Sequence, residues 1–130
     1  MISQKIYKER NLISVLIVGE VSFTELMDWH IRLANNSDYL NTFDGLVDQR
    51  EAIMNIAPSD LDSINQFNAD NDLIKGRWSH IIHTPHETAL TMVYEQKAKP
   101  KHGIQIFNTE QAASQYLGYD IREYLLRDNS

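Results

Sequence analysis

The sequence predicts an α/β fold: a single compact domain with a mainly parallel sheet of four to five strands, an N-terminal antiparallel strand, and about four flanking helices. Three observations predict it. Short β-branched runs alternate along the chain with segments of helical period. "LISVLIVGEV", residues 12–21, is almost continuously apolar, as a strand covered on both faces would be. Capping residues stand where strands give way to helices, at Ser22, Thr84 and Thr109.

Taken in order, residues 5–8 and 12–18 read as two strands joined by a turn at Arg10-Asn11, with Gly19 closing the second. Ser22 and Glu25 form a capping box. Leu26, Trp29, His30 and Leu33 then fall on one helix stripe. Residues 43–50 are the next strand. Pro58 and Ser59 open a second helix, with Ser59 as its N-cap and Leu61, Ile64 and Phe67 on one face. Residues 78–83 are a further strand. Thr84, Pro85 and Glu87 supply the N-cap, N1 and N3 positions of a third helix, which Pro100 ends. "GIQIF", residues 103–107, is a short strand. Thr109 caps a helix with Ala112, Ala113, Tyr116 and Leu117 on one side and Gly118 at its end. Residues 119–127 are expected as an extra C-terminal helix capped by Asp120, whose Ile121, Tyr124 and Leu125 either dock back on the body or, in an interaction module, form part of an exposed apolar patch.

The bulk numbers bound the function. At 130 residues the chain is one domain, spanning 1–130, and large enough to bury a core unaided. A net charge of −6 argues against nucleic acid as a partner. The absence of cysteine excludes disulfides, thiolate metal sites and a cysteine nucleophile. The N-terminus shows no signal-peptide pattern, and the longest apolar run is too short to cross a bilayer. The expected location is cytoplasmic, with peripheral membrane contact left open.

"SHIIHTPHE", residues 79–87, holds three of the five histidines. Strand alternation sends His80 and His83 to opposite faces, and His86 falls on the following helix, so no metal site is expected. "DQREA", residues 48–52, places Asp48 and Arg50 on one strand face. They either form a structural ion pair or frame a ligand edge with His83, Thr84 and His86 beyond the strand ends, where α/β sheets bind ligands. A helix start there also favours an anion. Met27, Trp29, Met54, Trp78 and Met92 read as core or as the wall of an apolar pocket. The chain has no phosphate-binding glycine loop, no G-x-S-x-G elbow and no H-E-x-x-H pair. No catalytic residue, metal or cofactor is expected, and the chain is not read as an enzyme.

Three stretches carry a resemblance. "IQIFNTEQAASQYLG" (104–118), "DGLVDQREA" (44–52) and "HTPHETALTMVYE" (83–95) are similar to the SpoIIAA-like branch of the STAS superfamily. The resemblance implies a regulatory or protein-interaction module in a signalling context, acting on a protein partner or on its own copy. Some STAS domains are switched by phosphorylation at the helix start after the third strand, and Ser59 is the positional match here. The same fold resembles lipid-transfer domains of the CRAL-TRIO type, whose helices part to admit apolar ligands or membrane. The alternative reading is therefore a small-molecule or lipid-binding domain, with its pocket at the carboxyl edge of the strands.

Overall fold

The opening hairpin sets one edge of the sheet. In the computed structural model, which describes residues 1–97 and 103–127, strand β1 (Ile2–Tyr7) pairs antiparallel with β2 (Leu12–Ser22). A 3-10 turn joins them, ending on Asn11 in the left-handed region. Strands β3 (Asp44–Asn55), β4 (Arg77–Ile81) and β5 (Gly103–Phe107) follow in parallel, each beside its predecessor. The strand order is β1-β2-β3-β4-β5. Helices α1 (Phe23–Ala34), α2 (Pro58–Asp70) and α3 (Pro85–Lys97) make the crossovers, and α4 (Glu110–Leu117) follows β5. The α/β class, the antiparallel opening and the four helices are those expected.

The two faces of the sheet are covered unequally. Helices α1, α2 and α3 lie on one face, where Trp29, Leu33, Leu61, Ile64, Leu90 and Tyr94 pack on Ile13, Val15, Val47, Trp78 and Ile104. The other face carries α4 and the C-terminal segment, with Ala113, Leu117, Ile121 and Tyr124 against Leu12, Leu46 and Ile81. Gly45 stands opposite Trp78 in the register, and a Cβ there would lie 2.1 Å from the indole. The missing side chain seats that ring.

Several boundaries differ from the expectation, for physical reasons. Strand β2 passes through Gly19, whose φ of 76° only glycine adopts freely, and ends at Ser22. Leu16 pairs with Asp48 but Val18 with Glu51, so β3 carries one extra residue there. That bulge resets the alternation and brings Ala52 and Met54 onto the face of Val47. Strand β4 stops at Ile81, leaving His83 outside it.

Ser59 is not the N-cap of α2. The helix begins one residue earlier, at Pro58, and the Asp60 carboxylate accepts the Ala57 N–H at 2.8 Å. The expected helix over 119–127 is a single 3-10 turn, Arg122–Tyr124. Asp120 binds the Arg122 guanidinium and N–H, and Leu125 is extended, which leads Tyr124 onto the rings of Tyr7 and Tyr119. This segment docks on the body, with Ile121 and Tyr124 buried, so it is not an exposed apolar patch. Pro100, expected to end α3, lies outside the described residues. Among the described residues, no helix is long and apolar enough to cross a membrane.

Candidate functional site

The helix-covered face of the sheet encloses a cavity of about 70 Å³. Its walls are mostly apolar: Val15 and Ile17 from β2, Leu26 and Trp29 from α1, Met54 and Trp78 from β3 and β4. Helix α1 borders it with Leu26, Trp29 and His30, and is capped by the Ser22 hydroxyl accepting the Glu25 N–H. The Trp29 indole N–H is spent on Gln4 Oε1 of β1 at 2.8 Å, which ties α1 to the hairpin.

Polar groups interrupt this wall at a few points, chiefly His30, Gln49, His80, Thr91 and Tyr94. Nδ1 of His30 lies 2.8 Å from the Leu26 carbonyl oxygen. A carbonyl only accepts, so Nδ1 holds the proton and Nε2 carries a lone pair. Nδ1 of His80 lies 2.6 Å from Gln49 Oε1, which imposes the same tautomer. Both imidazoles are pushed down to about 4, His30 by burial and His80 by burial and then by the proximity of His30. Both rings are therefore neutral at physiological pH. The Tyr94 hydroxyl accepts from the Asn68 amide at 3.1 Å, and burial pushes its pKa up. Among the described residues, no lysine, arginine or carboxylate lines the cavity.

The predicted site residues lie elsewhere, in two groups. Asp48 and Arg50 do share a face, the one bearing α4. Asp48 Oδ1 accepts the Arg50 N–H at 3.2 Å and Nε at 2.9 Å, while Oδ2 accepts from NH2 at 2.9 Å. Arg50 NH1 reaches Glu110 Oε2, at the start of α4, at 2.9 Å. The "DQR" motif is thus a clamp: Asp48 satisfies the amide that the β3 bulge frees, and Arg50 pins α4. Between them, Gln49 projects to the opposite face and orients His80.

His83, Thr84 and His86 are exposed at the entry to α3. Thr84 Oγ1 accepts the Glu87 N–H at 3.3 Å as the cap. His83 lines a shallow groove with Phe107 and Asn108 that includes neither Asp48 nor Arg50. Among the described residues these five are not brought to one place: the clamp holds Asp48 and Arg50 on the α4 face, while His83, Thr84 and His86 lie at the entry to α3. The three histidines of "SHIIHTPHE" go to three places, the cavity, the outer groove and the first turn of α3. Among the described residues, no three His, Asp or Glu side chains converge as a metal site.

Glu87 departs from its expected capping role. It is 3 % exposed, and its Oε1 leaves the helix start to accept the Met54 N–H at 3.0 Å. This holds α3 against the far end of β3. Of the Met and Trp residues read as pocket wall, Trp29, Met54 and Trp78 line the cavity, Met27 flanks the core, and Met92 is 48 % exposed.

Sequence reasoning did not single out Gln49 or assign His30 and His80 to one site. A signal was present for the histidines, each a polar residue whose periodic neighbours are apolar; for Gln49 the bulge hid it, because Glu51 stands two residues on. No protein-family model matches the chain, and no curated protein matches it significantly.

Proposed function

We propose that this chain is a non-enzymatic domain that binds a small, mainly apolar molecule between its sheet and helices α1–α3. The cavity carries the proposal. It lies where a core of this size would ordinarily be filled, and polar side chains held in defined orientations interrupt its apolar wall. Among the described residues, no set of nucleophile, base and cation that would support a reaction lines it.

Size bears on how a ligand enters. The cavity is about 70 Å³, while a dry cavity of roughly 150 Å³ accepts benzene. A ligand of more than a few heavy atoms requires α2 and α3 to move outward. Among the described residues, the polar ties available to yield include Asn68 to the Tyr94 hydroxyl and Asn65 to the Tyr94 carbonyl between α2 and α3, and Glu87 to the Met54 N–H. This agrees with the CRAL-TRIO resemblance, in which helices part.

Native mass spectrometry of freshly purified protein, followed by thermal melts with small apolar compounds, tests the proposal. A retained small molecule, or a compound-dependent rise in Tm lost when Trp29→Ala alters the wall, is the expected result. A chain that neither retains nor responds to any such compound refutes it.

A second reading, a STAS-like regulatory module, is favoured by one observation. Ser59 is exposed on the first turn of α2, where a phosphate would meet the positive end of the helix. Size-exclusion chromatography with light scattering on the unmodified and Ser59→Glu forms tests its self-association version. Monomers at high concentration in both forms remove it.

A further inference from the structure

The cavity's polar wall is more specific than its apolar one. The Leu26 carbonyl and the Gln49 amide oxygen engage Nδ1 of His30 and His80, which leaves each Nε2 as a lone-pair acceptor. Among the described residues, neither Nε2 has a hydrogen-bond partner. The two rings come from different elements, α1 and β4, and both line the same space. The Thr91 hydroxyl gives its proton to the Glu87 carbonyl at 2.8 Å, so it too presents an acceptor oxygen. The Trp78 indole N–H, a donor without a partner, is sealed in the core. The buried carboxylate of Glu87 on α3 is turned to the Met54 N–H. Among the described residues, the interior therefore offers the two Nε2 lone pairs and no cation, with the Gln49 amide N–H groups and the Tyr94 hydroxyl proton as its neutral donors.

We infer that the ligand of this cavity is a neutral molecule bearing a hydroxyl or similar donor, received by Nε2 of His30 or His80, and not a carboxylate. This inference rests on the proposed binding function and names the ligand class. Three physical points support it. A donor satisfies a buried acceptor that otherwise goes unpaired. A carboxylate would set its charge against lone pairs in a medium that screens poorly. Protonating a histidine to receive an acid would require charging a buried ring.

The test uses the full chain and matched sets of one skeleton: 1-butanol, butyl methyl ether and butyrate, then phenol, anisole and benzoate. Affinity is read by isothermal titration or ligand-dependent Tm at pH 7.5. The alcohol or phenol is expected to bind roughly three- to tenfold tighter than its ether, the worth of one hydrogen bond. The carboxylate is expected to bind weakest. In the His30→Phe and His80→Phe variants, one of the two is expected to lose the alcohol–ether difference while still binding the ether.

The ¹⁵N shifts of the imidazoles in the wild-type chain give a readout independent of those variants. They are expected to show both rings as the Nδ1–H tautomer, with one Nε2 moving on addition of the alcohol. An Nε2–H tautomer in both rings, equal affinity for alcohol and ether, or tightest binding by the carboxylate overturns the inference and leaves the binding function standing. Failure of all six compounds to bind overturns both.

Discussion

Asp48 shows how much one buried carboxylate can organise. It closes the bulge by accepting the Arg50 N–H, and it holds the guanidinium that reaches Glu110. Truncating it leaves the Arg50 amide unpaired and strips a partly buried guanidinium of one of its two carboxylate partners. Asp48→Ala is therefore expected to destabilise the fold by about 2–3 kcal/mol, and Glu110→Ala by less than about 1 kcal/mol, because Arg50 keeps Asp48. Urea denaturation of both variants checks the order, and equal losses would contradict the clamp. Glu87 is a second case. Its removal strands the Met54 N–H, so Glu87→Ala is expected to cost about 1–3 kcal/mol. The sequence makes the Asp48–Arg50 pair legible, because residues two apart in a strand share a face. It cannot reveal the partner of Glu87, which is set by tertiary contact and diverts the side chain from a cap that local rules assign to it.

Elements were legible where their own chemistry decides them. Thr109 caps α4 by accepting the Ala112 N–H at 3.1 Å, and Gly118 ends it at a φ of 91°. Both follow from local capping rules. Strand ends were not, because parallel neighbours extend one another beyond the apolar run: β2 continues to Ser22 since β3 pairs with it as far as Asn55. The C-terminal segment failed for the opposite reason. Its Ile121, Tyr124, Leu125 spacing fits a helix, yet aromatic packing on Tyr7 and Tyr119 settles its path. Gly45 yields a prediction at this scale. A methyl group there collides with the Trp78 ring, which must tilt or push β3 from β4. Gly45→Ala is expected to cost at least about 1–3 kcal/mol and to quench or shift tryptophan fluorescence, since Trp78 also walls the cavity. An unchanged Tm and emission spectrum would show that the ring is not seated on Gly45.

For the whole molecule, the class and strand sequence were readable from the alternation of elements, but the cavity was not. It exists because α1 and β4 bring two histidines to one face of the sheet, a convergence no local pattern encodes. This convergence gives the chain a pH dependence whose sign is fixed. Burial lowers His30 and His80 to about 4 in the folded state, against about 6.5 in the unfolded chain. Between those limits the unfolded state binds more protons, so the stabilisation is complete above about pH 6.5 and is lost as pH falls toward 4. Each histidine contributes a slope of up to about 1.4 kcal/mol per pH unit in that window. The groups packed around them, Leu26 O, Gln49 and Tyr94, do not titrate there, and most carboxylates titrate lower. Urea midpoints at pH 7.5, 6.5, 5.5 and 5 are expected to hold over the first step and then decline. The His30→Phe, His80→Phe double variant is expected to flatten the decline down to pH 5. A midpoint constant from 7.5 to 5 in the wild-type chain would mean that the rings are open to solvent, and the acceptor-lined cavity would not survive that result.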